Sequence, residues 1–214
     1  MSITIQQIKP AEIEAESFRI IDREQGAHPF DAPTWSIVRR VIHATGDFSF
    51  ADNLRFGPGA LTAGLAAIRA GKNILTDVNM TATGISKHLL ASHGGKVLCG
   101  VADPEVAEQA RRRGLTRSEV AIDNLLPENI GIVAIGNAPT ALLRVMERRE
   151  TLAPEQRPDL IIGVPVGFVN AAESKELLSQ QDYPHITALG RKGGSPTAAA
   201  IVNALLRLAT AEAD

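Results

Sequence analysis

Short apolar runs rich in β-branched residues alternate with longer helical patterns from residue 73 to the end of the chain. Such alternation is typical of a parallel sheet covered by helices on both faces, because each strand is followed by a helical crossover. We predict strands at residues 73–78, 96–101, 131–135, 159–164 and 185–189, whose lengths suit buried strands. The sequence therefore predicts an α/β fold: a single three-layer domain with a mainly parallel five-stranded sheet flanked by helices.

Helical patterns occupy most of the remaining chain. We predict helices at residues 12–24, 33–45, 60–70, 83–92, 104–113, 116–126, 139–150, 172–180 and 196–211, with a short extended piece at 53–56. Asp31 or Thr34 caps the start of the second helix, Gly46 stops it, and Ser195 with Pro196 marks the start of the last helix. We expect residues 1–214 to form one domain, with residues 1–72 as a helical N-terminal portion packed on it.

Four of the segments that follow a predicted strand carry glycine, at residues 79–84, 136–140, 165–170 and 190–195. In open parallel sheets, ligands bind beyond the carboxyl ends of the strands. Glycine lets a ligand approach the backbone N–H groups at helix starts, which suits an anion, and the last segment adds Arg191 and Lys192. The alternative for each segment is an ordinary tight turn.

Several well-defined site patterns are missing from the sequence. No glycine-rich fingerprint for a dinucleotide and no phosphate-binding loop occurs, so NAD and ATP are not supported. His88 and His93 are five residues apart, which is off the spacing of a helical zinc pair, and we predict no metal site made by the protein. No nucleophile elbow of the hydrolase type is present.

Charge and cysteine content exclude further classes of function. The 22 Lys and Arg residues nearly balance the 24 Asp and Glu residues, so no overall field attracts nucleic acid or an acidic membrane, and we expect neither as a partner. The one cysteine, Cys99, cannot form an internal disulfide. Residues 1–10 lack a leader pattern, and no apolar run is long enough to span a bilayer. We therefore expect an unprocessed cytoplasmic protein.

The predicted helix that ends at Gly46 carries Arg39, Arg40 and His43. Spacings of three and four residues place both arginines near the histidine on the helix surface, where they can hold an anion beside a titratable group. The helix dipole favours the charged imidazole, whereas the adjacent guanidinium groups oppose it. From spacing alone, His43 can equally be a C-terminal helix residue without a catalytic role.

Six short strings occur in order along the chain. They are Glu16-Ser17-Phe18, Arg40-Val41-Ile42-His43, Gly136-Asn137-Ala138-Pro139-Thr140-Ala141-Leu142, Gly163-Val164-Pro165-Val166-Gly167-Phe168-Val169, Ala172-Glu173-Ser174-Lys175 and Gly193-Gly194-Ser195. Each string is weak alone. The ordered set resembles the precorrin-8X and cobalt-precorrin-8 methylmutase family.

The resemblance implies an isomerase of cobalamin (vitamin B12) biosynthesis that moves a methyl group from C-11 to C-12 by a 1,5-sigmatropic shift, giving hydrogenobyrinate or cobyrinate. No redox cofactor or methyl donor is consumed, so no cofactor is expected. The family's proton donor and acceptor matches His43, and its substrate-binding residues match Ser17 and Arg40. Ser86 and Arg117 match segments that line the family's pocket, with helix capping and surface salt bridging as the alternatives. The family acts as a homodimer in which both subunits build each pocket.

Two branches of the family and two rival functions stay open. Residues 190–195 and 200–206 are more similar to the anaerobic enzymes that act on cobalt-precorrin-8 than to those that act on metal-free precorrin-8X. Any cobalt would then arrive inside the substrate. One rival is a non-catalytic tetrapyrrole-binding carrier, against which His43 argues. The other is a methyltransferase using S-adenosylmethionine, for which the sequence shows no glycine-rich donor pocket after an early strand.

Overall fold

The structure is a computed structural model that describes residues 7–211. The prediction about the N-terminal leader rests largely on residues 1–6, which lie outside the described residues. One mixed sheet has the strand order β1-β6-β5-β4-β2-β3, in which only β1 runs antiparallel to its neighbour. The strands are β1 Leu54–Phe56, β2 Asn73–Thr76, β3 Val97–Leu98, β4 Ile130–Ile135, β5 Leu160–Gly163 and β6 His185–Ala188.

The predicted α/β class and the mainly parallel sheet are confirmed, but the sheet has six strands where five were predicted. The additional strand, β1, is the extended piece predicted at residues 53–56, and it pairs along β6 from Leu54 opposite Ala188 to Phe56 opposite Ile186. Three residues are too few to show an alternating pattern. The predicted strand at 96–101 is shorter in the structure, because only Val97 and Leu98 pair with β2.

Eleven α-helices are present among residues 7–211. They are α1 Ile13–Gln25, α2 Ala32–Thr45, α3 Phe50–Asn53, α4 Ala60–Arg69, α5 Asn79–Gly84, α6 Lys87–Ser92, α7 Pro104–Arg113, α8 Arg117–Leu125, α9 Pro139–Thr151, α10 Ala171–Ser179 and α11 Ser195–Ala211. The predicted helix at 83–92 is wrong at its start, because Ile85 and Ser86 are extended between α5 and α6. There the Ser86 N–H donates to Oδ1 of Asn203, at 2.8 Å, so it bonds to a side chain of α11.

Helix α2 begins and ends where its sequence predicts. Of the two proposed caps, Asp31 is the N-cap, and its Oδ1 accepts from the Thr34 N–H at 2.9 Å. The helix ends at Gly46, whose φ of 65° lies in the left-handed region that glycine adopts without strain. Between these ends, His43 is exposed in the last turn of the helix, and Arg40 lies one turn earlier and is partly buried.

Alternate residues of the central strands face opposite layers of helices, as the period of two requires. In β4, Ile132 and Ala134 pack in the core formed with α2, α4 and α11, whereas Val133 and Ile135 pack in the core formed with α8, α9 and α10. The whole of β4 is buried, which explains its continuous apolar sequence. Among the helices of residues 7–211, none is long and apolar enough to cross a membrane.

Candidate functional site

Arg40 and His43 line one surface cavity of about 230 Å³ between α2 and α11. The opposite wall consists of small residues of α11, and the rim includes Gly84 at the end of α5 and Pro196 at the start of α11. Both of those residues belong to connections that follow the carboxyl ends of parallel strands, so the cavity reaches the sheet edge where ligands bind in such folds. The predicted proximity of Arg40 and His43 is confirmed.

The Arg40 guanidinium forms a two-pronged ion pair with Glu14 of α1. Its Nη1 and Nη2 donate to the two carboxylate oxygens at 3.3 and 3.2 Å. The Arg40 side chain is only 15% exposed, whereas that of Glu14 is 45% exposed. The hydrogen bond from Arg40 lowers the pKa of the Glu14 carboxyl, and the charges of Arg207 and His43 act in the same direction. Arg40 therefore holds the Glu14 carboxylate with both Nη groups, which is the arrangement in which a guanidinium binds a carboxylate.

The Phe18 ring of α1 forms the apolar centre of this region. Its centroid lies 5.4 Å from that of the His43 ring in an edge-on arrangement. The guanidinium carbons of Arg39 and Arg40 lie 4.4 and 5.2 Å from the same centroid. Aromatic and cation–π contacts of this kind keep the charged groups near an apolar surface.

A second cavity, of about 200 Å³, adjoins the first and shares Arg40 with it. Phe18, Arg39 and Arg207 also line it. Arg39 is paired with Asp22 at 2.7 Å and is absent from the residues that line the His43 cavity. The two cavities together offer several guanidinium groups beside apolar side chains, which suits a large ligand that carries carboxylates.

The other predicted site residues lie at different distances from His43. Ser17 precedes Phe18 on α1, and its hydroxyl donates to the Ile13 carbonyl oxygen at 2.9 Å. Ser86 is joined to the cavity through Asn203, which lines the cavity and also donates to the Gly84 carbonyl oxygen at 2.9 Å. Arg117 is exposed at the start of α8 and lines a separate cavity. Within one chain, the structure therefore brings together Arg40, His43 and the Ser86 segment, but not Arg117.

The loop after β4, which was predicted as a segment suited to an anion, is bound by the side chain of Asp77. Its buried carboxylate accepts from the N–H groups of Gly136, Asn137 and Ala138 at 3.0, 2.8 and 2.7 Å. Burial raises the pKa of this carboxyl, and the three hydrogen bonds act in the opposite direction. The prediction that this loop presents N–H groups to a ligand is wrong, because an internal carboxylate already binds them.

The loops after β5 and β6 are hydrogen-bonded to each other. The Gly194 N–H donates to the Val164 carbonyl oxygen at 2.8 Å, and the Gly167 N–H donates to the Arg191 carbonyl oxygen at 3.2 Å. A side chain at Gly193 would lie 2.2 Å from the Val164 oxygen, so this glycine permits a close backbone approach. The ordinary-turn interpretation fits these glycines.

Large apolar side chains are exposed along the same sheet edge. Phe168 is 83% exposed and Val169 is 77% exposed in the loop after β5, and Met80 is 70% exposed at the start of α5, after β2. Arg191 lies over the Phe168 ring at 5.3 Å. Exposed apolar groups of this size, rimmed by charge, are typical of a contact surface.

Sequence reasoning missed three residues of this region. Phe18 lay in a recognised string but was given no role, and Glu14 had no signal beyond its acidity. Asn203 had one usable signal, because it is a polar residue inside the apolar helical run at 200–206. Residues 7–211 contain no group of three or more His, Cys, Asp or Glu side chains able to hold a metal ion.

The fold and this geometry define an α/β protein with a cationic, partly apolar surface site in which an imidazole lies beside an arginine that binds carboxylate. A sequence model of the precorrin-8X methylmutase family matches residues 12–208. The chain belongs to the precorrin-8X methylmutase family.

Individual relatives agree with that assignment. The cobalt-precorrin-8 methylmutase of Priestia megaterium is 44% identical over 203 residues, which is 94% of this chain and 89% of that protein. The cobalt-precorrin-8 methylmutase of Salmonella typhimurium is 46% identical over 205 residues, covering 92% of this chain and 95% of the relative. The crystal structure of the precorrin-8x methyl mutase from Thermus thermophilus has a TM-score of 0.85 and 44% identity, covering 94% of this chain and 97% of that one.

Proposed function

We propose that this chain is an isomerase of cobalamin biosynthesis that moves a methyl group from C-11 to C-12 of precorrin-8X or cobalt-precorrin-8, giving hydrogenobyrinate or cobyrinate. The observation that carries the proposal is that Arg40 and His43 line one cavity at the carboxyl edge of the sheet. Relatives that cover most of the chain are named methylmutases.

In this proposal His43 donates a proton to a ring nitrogen of the substrate and recovers it after the methyl group has moved. Protonation drains electron density from the conjugated system and so favours the shift. An imidazole suits both steps because its ordinary pKa lies near neutrality. His43 is exposed at the cavity, so a bound macrocycle can reach it without a change in the fold.

Arg40 holds a carboxylate arm of the substrate, and Ser17 and Ser86 contribute hydroxyl groups. A planar guanidinium binds a carboxylate with two parallel hydrogen bonds, and the existing pair with Glu14 supports that geometry at Arg40. Fixing the substrate arms places the ring nitrogen and the imidazole together, which lowers the entropic part of the barrier.

We further propose a homodimer in which Arg117 of one subunit completes the site of the other. The support is that Arg117 lines a cavity separate from that of His43, while apolar side chains such as Phe168 and Val169 are exposed along the sheet edge. Mixing His43→Ala with Arg117→Ala, each of which we expect to be inactive alone, tests this arrangement. Mixed dimers regain up to about a quarter of the wild-type activity if one intact shared site forms per mixed dimer, and no regain contradicts the shared site.

Among the two substrates we favour cobalt-precorrin-8. The segments at 190–195 and 200–206 support that branch, as do relatives named for the cobalt form. The Thermus thermophilus relative, which is named for precorrin-8x, is also 44% identical, so identity does not separate the branches. The cobalt ion would be part of the substrate.

The test is anaerobic incubation of the purified protein with each substrate, followed by the visible absorption spectrum. Conversion of the cobalt form at the higher kcat/KM supports the full proposal, and preferential conversion of the metal-free form reverses the branch assignment. Tight binding of both substrates without a spectral change to product would make the chain a carrier and would overturn the proposed isomerase.

We also infer that residues 1–214 act as one domain in a reducing cytoplasm. Buried residues of α2, such as Ile37 and Val41, pack in the same core as Ile201 and Leu205 of α11, so the N-terminal portion shares its core with the sheet. The single cysteine, Cys99, supports the compartment. One cooperative unfolding transition tests the domain, and cell fractionation tests the location.

A further inference from the structure

Lys175 of α10 is fully buried, with an exposed fraction of 0%. Lysine is almost never fully buried without an acidic partner. Its Nζ donates to the Lys192 carbonyl oxygen at 2.6 Å, and among residues 7–211 no other polar partner is found for it. Burial lowers the pKa of this amine to about 8. Lys175 is therefore a buried amine whose one hydrogen-bond partner among the described residues is a backbone oxygen.

The carbonyl group that Lys175 holds belongs to a loop of unusual backbone freedom. Gly190, Gly193 and Gly194 have φ values of 79°, 156° and 121°, which side chains rarely allow. Glycine loses more conformational entropy on ordering than any other residue, so such a loop needs fixed attachment points to keep one conformation. The bond from Lys175 to the Lys192 oxygen is one of these attachments.

The side chain of Lys192 reaches from this loop to the segment that follows α2. Its Nζ donates to Oδ2 of Asp47 at 2.6 Å and to Oγ of Ser49 at 2.9 Å. The hydrogen bonds from Lys192 and then Ser49 hold the pKa of the Asp47 carboxyl below its usual range. Asp47 follows Gly46, where the helix that carries Arg40 and His43 ends. One loop residue is therefore fixed by α10 on its backbone side and holds the end of α2 with its side chain.

This arrangement is a poor way to stabilise a fold. An ammonium group with a single acceptor does not recover the hydration that it loses on burial, whereas an unbranched apolar side chain of similar length fills the same space without that cost. Groups that cost stability and persist in a structure are concentrated at functional sites. A role in positioning the end of α2 accounts for the presence of a group that costs stability.

We propose that Lys175 and Lys192 are positioning residues for the methyl shift: Lys175 fixes the Lys192 peptide, and the Lys192 ammonium fixes the Asp47 end of the helix that presents Arg40 and His43. The proposal rests on the function proposed above. It assigns neither lysine a contact with substrate. In this proposal, two groups outside the cavity set the geometry of the site.

The test compares Lys175→Met and Lys192→Met with Lys96→Met, a matched change at an exposed lysine beside the start of β3. We expect Lys175→Met to unfold at the same temperature as the wild type or a higher one. In both positioning variants kcat falls roughly ten- to a hundredfold, because small misplacement of a reacting group has effects of that size, while KM changes by less than about threefold. Lys192→Arg keeps a cation at this position and restores most of kcat. Lys96→Met leaves kcat unchanged.

A second measurement separates failure of this proposal from failure of the proposed function. In protein with ¹⁵N-labelled histidine, the His43 ring signals shift in Lys175→Met and Lys192→Met, whereas those of the exposed His88 do not. This readout holds whether or not the wild type turns over substrate. Wild-type kcat and unshifted His43 signals would overturn the proposal. A fall in kcat that merely follows a lower unfolding temperature would show a structural role only, and would overturn it as well.

Discussion

Asp77 and His43 both lie near the carboxyl edge of the sheet, but their surroundings are opposite. The Asp77 carboxylate is buried and accepts three backbone N–H groups at 3.0 Å or less. His43 is exposed beside an arginine whose one carboxylate partner is bound at 3.2 Å or more. Full hydrogen bonding fixes a loop and leaves nothing for a ligand, whereas partial bonding leaves groups that a substrate can use. Asp77 thus belongs to the residues that hold the sheet edge in shape, whereas His43 and Arg40 belong to those that can contact a substrate.

Replacing His43 removes the residue proposed to exchange the proton, and we expect this change to lower turnover more than any other. In His43→Ala we expect kcat to fall by roughly a hundred- to ten-thousandfold, the usual contribution of general acid–base catalysis, while substrate Kd stays within a few fold. Turnover and a spectral titration measure the two quantities. His88→Ala, an exposed histidine of α6, is the control. Wild-type turnover in His43→Ala would remove this residue from the mechanism.

Replacing Asp77 removes the carboxylate that holds the loop after β4. Asp77→Ala leaves three buried or half-buried N–H groups without their acceptor, so the free energy of unfolding should fall by about 3–5 kcal/mol. Asp77→Asn keeps one acceptor oxygen and should lose less. Denaturant unfolding measures both variants. A stable Asp77→Ala protein with low kcat would show that Asp77 acts in catalysis and would contradict a purely structural role for it.

Lys175 lies between the two types, because it is buried like Asp77 but poorly bonded. Its pKa is lowered to about 8 from 10.5, so between these pH values the unfolded chain holds more protons than the folded one. The free energy of unfolding should therefore rise with pH across that range in the wild type, relative to Lys175→Met, by on the order of 1–3 kcal/mol. Denaturant curves at both pH values measure the difference. Parallel pH dependence in the two proteins would show that the amine is not desolvated.

Replacing Glu14, whose carboxylate is bound by Arg40, should have the smallest effect of these changes. If the substrate carboxylate replaces Glu14 at Arg40, then Glu14→Gln removes a competitor that contributes about 0.2–1 kcal/mol, and substrate should bind more tightly by up to about fivefold. Glu24→Gln, near the other end of α1, is the control. Weaker binding in Glu14→Gln would mean that Glu14 orients Arg40 and remains in place.

Much of the fold follows from local signals. The alternating runs predict the parallel strands, and the caps Asp31 and Gly46 predict α2 within a residue. The short edge strand β1 is not predicted as a strand, because its three residues depend on pairing with β6, which lies far along the chain. The break at Ile85 and Ser86 likewise depends on Asn203 of a distant helix. Local patterns carry no information about such partners.

The site divides in the same way. A helical spacing of three residues predicts that Arg40 and His43 lie together, and the structure agrees. The other wall of their cavity comes from α11, and the carboxylate on Arg40 comes from α1, so neither follows from spacing. The glycine-rich loops are alike in sequence. In the structure, however, the Asp77 carboxylate binds the N–H groups of the loop after β4, and Lys175 binds a carbonyl oxygen of the loop after β6. Which loop is open depends on buried side chains that only the packed structure brings together.

The most direct test of the account is to follow the methyl group itself. Substrate carrying a ¹³C-labelled methyl group at C-11 is incubated anaerobically with the purified protein, and the product is analysed by NMR. We expect the labelled methyl group to appear at C-12 with the wild type and to stay at C-11 with His43→Ala, although both proteins bind the substrate. A label that stays at C-11 in the presence of bound wild-type protein would contradict the account.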